Sequence, residues 1–428
     1  MQLAKTAVDT SACPHDSLGK GGNALTADVD SSVNSQKASS AVLVRVIDNE
    51  EDWRHVEPAW RELFEASPAA SPVLQWEWLW EWWQTYGPVY SAPRGLRLLT
   101  VWRGDCLLGV LPLYQCRQKH ILGIRCLKFL STGEAEFEET CPNYLDLLYR
   151  KGEATTCVEA LRKALLQPNY FRWDELYLRC LSEKSPLLAW TNDFVGRHQA
   201  FLDVEGTCTI SEIDAGLSAY LGRLSAATRY EARRLLRAAK DGGARLEVAQ
   251  DGTGVEAFYE QMIDLHQKRW TAEGRSGCFA APRFSQFHRT LAHQLVPRGR
   301  ALLARLVLAD MPLAVIYGYM VGSKFDSYLS GVCAGEAGPV RSPGTAGHLF
   351  VMEYLAKRGI THYDYLCSSG PSYKTRFGTE EQRLVRLRVR RRSVRAAAYR
   401  LPGTLAKAFR KSWRVLCGRG LHETTPST

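Results

Sequence analysis

The sequence has no apolar run of about 18 residues, the length that a helix needs to cross the hydrocarbon core of a bilayer. Its twelve cysteines are scattered from Cys13 to Cys417 without a single Cys-x-x-Cys pair, so the ligand spacing of a structural zinc site is missing. Residues 1–40 are rich in Ser, Ala, Asp and Gly and lack a continuous apolar core. These absences argue against a membrane-spanning segment, a metal site and a signal peptide.

Scattered cysteines inside strand-like apolar runs, such as Cys106, Cys116 and Cys126, are typical of buried thiols in a reducing compartment. We therefore expect a cytoplasmic protein that uses no metal. The polar composition of residues 1–40 predicts a disordered leader.

The 428 residues exceed what a single core usually holds, about 250–300 residues, and so predict two domains. A net charge of +10 favours an anionic partner such as a nucleotide, RNA or a membrane surface. Much of this charge lies in residues 383–419, where no acidic residue occurs. The rest of the chain is close to neutral and need not bind nucleic acid.

The two halves of the chain show the same order of strand and helix patterns. Residues 101–114 (VWRGDCLLGVLPLY) and 306–319 (LVLADMPLAVIYGY) both predict two strands around a tight turn, with Asp105 and Asp310 at matching positions. A strand, a helix and another strand follow in each half. PNYLDLLY, residues 142–149, is predicted as one of the strands. This order predicts an internal duplication of one α/β unit.

Three runs in the second half carry a family resemblance: DLHQKRW (264–270), RSPGTAGHLF (341–350) and YDYLCSSGPSYKTRFG (363–378). They resemble an early helix, the loop and helix after the fourth strand, and a tyrosine–lysine element of the GNAT superfamily of acyltransferases. Within it, the chain looks like the CelD-like branch of polysaccharide biosynthesis, which is related to the Fem aminoacyl transferases. The resemblance implies an α/β mixed-sheet fold in which the GNAT-like unit is duplicated in tandem.

Four segments are predicted on this basis. Residues 1–40 are the leader, 41–205 a degenerate GNAT-like domain, 206–390 the acyltransferase domain and 391–428 a basic amphipathic tail. The resemblance also implies acetyl-CoA or another acyl-CoA as the co-substrate and an amine as the acceptor.

A pyrophosphate binds well to backbone N–H groups at a helix N-terminus, where glycine permits close approach. The residues predicted to bind the acyl donor are Arg341, Gly344, Thr345, Ala346 and Gly347. Ser342 and Pro343 would equally begin an ordinary helix, as the N-cap and the first helical residue. Pro343 also removes one backbone donor.

Acyl transfer to an amine needs a base for the amine and an acid for the departing thiolate. The predicted catalytic residues are Asp326, Asp364 and Tyr373. Asp364 lies in an otherwise buried strand, where an unpaired carboxylate is costly, so we expect it to have a partner. The predicted acceptor-binding residues are His266, Arg269, Trp270 and Lys374. Trp270 would also suit a core, and Lys374 a solvated surface.

Three functions remain open from the sequence. The first is acyl transfer from acyl-CoA to a small-molecule, sugar or lipid-linked amine. The second is Fem-like transfer from aminoacyl-tRNA, held by the basic helix that carries Arg229, Arg233, Arg234 and Arg237. The third is a non-catalytic scaffold of a polysaccharide-synthesis complex. The third is favoured by CSSGPSYK, which has no acidic residue ahead of Tyr373, where the resembled family carries one.

The basic tail has an apolar side formed by Leu405, Phe409, Trp413 and Leu416. This pattern favours a helix that lies on an anionic membrane. Contact with RNA and a solvated appendage are the alternatives. We therefore predict a cytoplasmic protein with peripheral contact at the inner face of the membrane.

Overall fold

The computed structural model describes residues 41–116, 124–167, 172–194, 196, 198–333, 338, 340–368 and 373–392. The predicted leader and the tail beyond residue 392 lie outside these residues. No helix among them is long and apolar enough to cross a membrane.

One mixed sheet of thirteen strands runs through the described residues. Its strands are β1 (Val42–Ile47), β2 (Ser91–Arg103), β3 (Cys106–Cys116), β4 (Cys126–Phe129), β5 (Leu148–Tyr149), β6 (Glu175–Ser182), β7 (His198–Glu212), β8 (Arg245–Val248), β9 (Ala301–Leu308), β10 (Met311–Val321), β11 (Lys324–Val332), β12 (His362–Ser368) and β13 (Glu380–Arg391).

Ten α-helices pack against this sheet in the described part of the chain. They are α1 (Glu50–His55), α2 (Glu57–Glu65), α3 (Trp76–Tyr90), α4 (Ala154–Leu166), α5 (Trp190–Asp193), α6 (Gly216–Arg223), α7 (Ala226–Asp241), α8 (Gly252–Ala272), α9 (Pro282–Leu295) and α10 (Pro343–Ala356). Short 3-10 turns complete the structure, among them the turn Tyr373–Phe377 between β12 and β13.

The two halves of the sheet repeat one topology. In the first half β1, β2, β3 and β4 are antiparallel neighbours, and β4 pairs in parallel with β6, which follows helix α4. In the second half β8, β9, β10 and β11 are antiparallel neighbours, and β11 pairs in parallel with β12, which follows helix α10. The predicted tandem duplication of an α/β unit with a mixed sheet is confirmed.

Strands β7 and β13 join the two halves in the middle of the sheet. β13 pairs with β6 on one side and with β7 on the other, and β7 pairs in turn with β12. The last described strand of the chain therefore lies between the two units, and backbone hydrogen bonds continue from β1 to β8. This continuity fixes how the first unit faces the second.

The β2–β3 and β9–β10 hairpins correspond to each other in the two halves, as predicted. One predicted strand is wrong. The β9–β10 turn has positive φ at Ala309 (45°) and Asp310 (64°), as a two-residue hairpin turn of this hand requires. Of PNYLDLLY, only Leu148–Tyr149 pairs as a strand. Tyr144 has φ 62°, a left-handed conformation that breaks an extended run.

The tryptophan-rich helix α3 packs the first unit against the second. Trp78 is fully buried and donates from Nε1 to Ser131 Oγ at 2.9 Å. Its ring contacts those of Tyr319 on β10 and Tyr328 on β11 edge-on, with centroids 5.2 and 5.7 Å apart. Aromatic packing of this kind holds the site-bearing strands in place.

Candidate functional site

The parallel strands β11 and β12 pair only at their first residues and then separate. The pairs are Lys324 with His362, Phe325 with Tyr363 and Asp326 with Asp364. Beyond Asp326, β11 continues to Val332 and stays paired with β10, but it no longer pairs with β12, so a gap opens along that edge. Unpaired strand edges offer hydrogen bonds to an extended ligand.

A β-bulge in β11 follows directly after Asp326. Ser327 lies opposite Gly318 and Leu329 opposite Tyr317, so Tyr328 is the extra residue. Glycine is required at position 318, because a Cβ there would lie 2.3 Å from the carbonyl oxygen of Asp326.

β12 bends away at the same level. Its register with β7 shifts between Asp364 and Cys367, and Leu366 takes a left-handed φ of 61°. Such a conformation is strained for a residue with a side chain. Asp364 Oδ1 accepts a hydrogen bond from the Leu366 N–H at 2.7 Å, which stabilises the bend.

Asp326 and Asp364 share one cation at the point where the strands separate. Lys324 Nζ lies 2.7 Å from Asp364 Oδ2 and 3.1 Å from Asp326 Oδ1. Tyr144 Oη donates to Asp364 Oδ2 at 2.5 Å, and Lys324 Nζ lies 3.9 Å from the centre of the Tyr144 ring. The expectation that Asp364 has a partner is met. Asp326 Oδ1, by contrast, accepts no well-directed hydrogen bond from the described residues.

Burial and mutual charge set the ionisation of this cluster. Burial raises the pKa of Asp326 to about 6, with Lys324 opposing. Burial alone would lower the pKa of Lys324, but the carboxylates of Asp326 and Asp364 together raise it. Burial and then the charge of Asp364 raise the pKa of Tyr144. At neutral pH Lys324 is therefore charged, Tyr144 donates a hydrogen bond and Asp326 can accept a proton.

A cavity of about 320 Å³ lies beside Asp326 and Lys324. Its polar lining residues come from both units: Ser71, Tyr144, Asp146, Tyr149, Ser182, Lys184, Lys324, Asp326 and Gln382. Sites for small molecules begin at about this size. The sheet that joins the two units thus builds a compartment into which a catalytic carboxylate would point.

Asp146 is a second buried carboxyl group in the cavity wall. Its Oδ1 accepts hydrogen bonds from Ser185 Oγ at 2.6 Å and from the Leu147 N–H at 2.7 Å. Burial raises its pKa to about 7 against these two hydrogen bonds. The cavity therefore carries two carboxyl groups that ionise near neutrality, together with the ammonium groups of Lys184 and Lys324.

Replacing Tyr144 with phenylalanine tests the contact between the units. We expect the free energy of unfolding to fall by about 1.5–3 kcal/mol, because a hydrogen bond to a buried carboxylate is lost. Urea denaturation measures this. Tyr149→Phe, on the same cavity wall, is the matched control, and equal losses in both variants would contradict the role given to the Tyr144–Asp364 contact.

The predicted donor-binding residues lie at the start of α10. Ser342 does not cap this helix with its side chain, and the bond from Ala346 N–H to Ser342 O, 2.9 Å, is the one that closes the first turn. The N–H groups of Gly344 and Thr345 come before this first helical hydrogen bond, so they have no acceptor within the helix. Arg341 and Arg234 line a cavity of about 210 Å³ at this helix end. Ala346 and Gly347 are buried, and a Cβ on Gly347 would lie 3.1 Å from Ala314 Cβ.

The tyrosine–lysine element follows β12. Lys374 Nζ donates to the carbonyl oxygen of Tyr365 at 2.8 Å, so it supports the bend in β12. Burial lowers the pKa of Lys374, and the charge of Asp364 opposes this effect. Tyr373 begins the 3-10 turn Tyr373–Phe377, and its side chain lies outside the described part of the protein.

His266, Arg269 and Trp270 lie near the C-terminal end of α8 and do not line the cavity beside Asp326. The His266 ring stacks on Trp270 with centroids 5.6 Å apart, and its Nε2 lies 3.6 Å from Cys278 Sγ. Arg269 is paired with Glu273 at 3.2 Å. Their contact with an acceptor stays a prediction.

Three residues of the site have no role in the sequence-based prediction: Lys324, Tyr144 and Asp146. Lys324 could have been found, because it lies two residues before Asp326 and so on the same face of its strand. Tyr144 and Asp146 carry no such signal, since the segment that holds them was predicted as a regular strand.

Comparison with known proteins supports an acyltransferase. Residues 226–375 match a protein-family model described as an acetyltransferase (GNAT) domain. This region spans α7 to the turn after β12, and the match identifies the chain as an N-acyltransferase. No curated protein matches the chain.

Several solved structures are similar to the whole described chain. The crystal structure of FemX aligns with a TM-score of 0.52 at 12% identity, over 77% of this chain and 95% of its own, and shows the same fold. A conserved protein of unknown function from Bacteroides thetaiotaomicron aligns with a TM-score of 0.47 at 9% identity, over 82% and 100%. A tandem GNAT protein from the clavulanic acid biosynthesis pathway aligns with a TM-score of 0.38 at 12% identity, over 81% and 98%.

Proposed function

We propose that the enzyme transfers an acetyl or other acyl group from acyl-CoA to the amine of an acceptor bound in the cavity beside Asp326. The observation that carries this proposal is the position of Asp326. It lies where β11 and β12 separate, it lines the cavity, and its pKa is raised to about 6 by burial. A base that ionises just below neutral pH suits the deprotonation of an amine.

The donor would lie in the gap between β11 and β12, with its pyrophosphate at the start of α10. Gly344 and Thr345 supply N–H groups there, and the helix dipole favours a negative charge. Arg341, Arg234 and Glu231 line the cavity at the same helix end, and because Glu231 is paired with Arg376, a net positive charge remains there. Pro343 occupies the first helical position, where its missing N–H is not needed for helix formation.

The acceptor would lie on the other side of the Asp326–Asp364 pair, in the cavity between the units. Its amine would approach Asp326, and Asp146 and Lys184 would orient its remaining polar groups. That the acceptor is a sugar or lipid-linked precursor of an envelope or exopolysaccharide rests on the sequence resemblance to the CelD-like branch. The contact of the basic tail with a membrane rests on the sequence alone.

The reaction then follows from the positions of these groups. Asp326 takes a proton from the amine, whose nitrogen attacks the acyl carbon. A backbone N–H group of β11 beyond the Tyr328 bulge is the proposed donor that would stabilise the oxyanion. Asp364, held by Lys324 and Tyr144, keeps Lys324 next to Asp326 and so positions the base. Tyr373 is the proposed acid for the departing thiolate.

Isothermal titration calorimetry with acetyl-CoA tests the donor site. We expect micromolar binding that Arg341→Ala weakens about 10- to 100-fold, because a charge-assisted hydrogen bond contributes about 1.5–3 kcal/mol. Gly344→Glu should abolish binding, since it adds a negative charge and a side chain where the pyrophosphate would lie. Arg358→Ala, at the opposite end of α10, is the matched control and should bind like the unchanged protein.

The same titration separates the alternative functions. Transfer from aminoacyl-tRNA is favoured by Arg233, Arg234 and Arg237, which are exposed on α7. If the protein binds charged tRNA in a salt-sensitive manner and does not bind acetyl-CoA, then aminoacyl-tRNA is the donor in place of acyl-CoA. If the protein binds neither acetyl-CoA nor charged tRNA, the non-catalytic scaffold is the function that remains.

A further inference from the structure

Two cysteines lie opposite each other on neighbouring strands beside the site. In the antiparallel pairing of β12 with β7, Cys367 faces Cys208. Cys208 is fully buried and Cys367 partly buried. The two thiols interact, because each shifts the pKa of the other. They are therefore neighbours in space although far apart in the chain.

The backbone at this pair favours a covalent bond between the sulfur atoms. The Cys367 N–H donates to Asn143 Oδ1 at 3.1 Å and not to β7, so the residues form a non-hydrogen-bonded pair. The Cα atoms of such pairs lie about 4.5 Å apart, with the side chains close together. Disulfides span Cα separations of about 4.4–6.8 Å.

The pair also belongs to the packing of the catalytic cluster. Cys208 shares a small apolar cluster with Tyr144, Leu366 and Leu384, and Cys367 packs against it. Asn143, which contacts both cysteines, precedes Tyr144 in the chain, with its Oδ1 3.6 Å from Cys208 Sγ. Cys367 is also the residue after Leu366, whose left-handed conformation bends β12.

The two thiols differ in reactivity. The neighbouring Cys208 thiol lowers the pKa of Cys367 to about 7. The neighbouring Cys367 thiol and burial raise the pKa of Cys208. Cys367 is thus the thiol that is partly ionised at neutral pH, and only thiolates attack peroxides at useful rates. Cys208 is placed to react second.

We propose that Cys208 and Cys367 are a redox-modification site, at which a hydroperoxide converts the two thiols into a cross-strand disulfide. The Cys367 thiolate attacks the O–O bond and becomes a sulfenic acid, while the alkoxide or hydroxide that leaves takes up a proton. The Cys208 sulfur then attacks the sulfenic sulfur, and the hydroxide that leaves departs as water with the Cys208 proton. Both sulfur atoms are oxidised and one peroxide is reduced.

Hydrogen peroxide treatment of the full-length protein, followed by non-reducing peptide mapping, tests this proposal. We expect one linked pair of peptides containing Cys208 and Cys367, lighter by two hydrogen atoms and separated again by dithiothreitol. Two thiols should disappear from a titration of the denatured protein. The result does not depend on the acyl-transfer function, because it is read from the bond itself.

Three variants make the outcome decisive. In Cys208→Ser, a sulfenic acid on Cys367 should be trapped by dimedone and no link should form. In Cys367→Ser, Cys208 should stay reduced. Cys106→Ser, which changes an exposed cysteine on the β2–β3 hairpin, should leave the link unchanged. The proposal is overturned if Cys367 stays reduced, if it is oxidised without linking in the unchanged protein, or if it links to another cysteine.

Discussion

Asp326→Asn is expected to reduce the rate of acyl transfer by about 10²- to 10⁴-fold, the usual contribution of a general base. Asparagine keeps the size of the side chain but cannot take up the amine proton. Donor binding should be unchanged, because the proposed pyrophosphate site at α10 lies at the other end of the gap. Turnover with acetyl-CoA and an amine acceptor, together with calorimetry on the same samples, measures both quantities.

The pH dependence of the rate tests whether Asp326 is the base. Its pKa is raised to about 6, so the carboxylate form is lost as the pH falls below 6, and kcat/KM should fall with it. In Asp326→Asn this step should disappear, while a step due to protonation of the amine itself remains. The pKa of Asp326 would respond to changes in the groups that face it, which are Lys324, Asp364 and Tyr144.

Asp146→Asn is the comparison within the same cavity. We expect it to raise KM for the acceptor with little change in kcat, because Asp146 is proposed to orient the acceptor and not to move its proton. A variant of Asp326 that keeps its rate, or that loses rate only through KM, would assign the base to another residue.

Local patterns were enough to predict most of the fold. The hairpins around Asp105 and Asp310 depend on alternation and on turn residues close in the chain, and the duplication follows from their order. Asp364 was expected to have a partner because a lone carboxylate in an apolar strand is costly. These expectations needed no knowledge of distant contacts.

The remaining features depend on contacts between distant parts of the chain. Tyr144 and Asp364 are 220 positions apart. Tyr144 lies in irregular backbone, although the alternation of apolar and polar residues around it predicted a strand. β13 pairs with β6 and β7, one strand from the first unit and one from the junction. Register between distant strands is set by packing that no single segment encodes. The cavity, formed where the units meet, was therefore not predictable.

The site also differs from its prediction in the contacts that the two carboxyl groups make. The sequence predicted Asp326, Asp364 and Tyr373 as catalytic residues and expected a partner for Asp364. Asp364 accepts hydrogen bonds from Tyr144 and from the Leu366 N–H and pairs with Lys324, whereas Asp326 keeps one oxygen without a well-directed bond. Because of these contacts, we propose that Asp364 positions its neighbours and that Asp326 takes up the proton. This distinction requires atomic contacts.

Lys324→Met is expected to lower the free energy of unfolding by about 3–5 kcal/mol at pH 8, the usual cost of removing one partner from a buried ion pair. Methionine preserves the length of the side chain, so the loss reports the missing charge between Asp326 and Asp364. Urea denaturation at several pH values measures it. Lys357→Met, which removes a largely exposed ion pair with Glu353 on α10, is the control and should have little effect.

The sign of the pH effect follows from linkage. Without Lys324, the pKa of Asp326 in the folded protein should rise further above its value in the unfolded chain, so the folded state binds more protons. The free energy of unfolding must then fall as the pH rises from the pKa of Asp326 in the unfolded chain to its pKa in the folded protein. The loss caused by Lys324→Met should therefore be smaller at pH 5 than at pH 8. A loss that is independent of pH, or larger in acid, would show that Lys324 contributes packing and not charge compensation between Asp326 and Asp364.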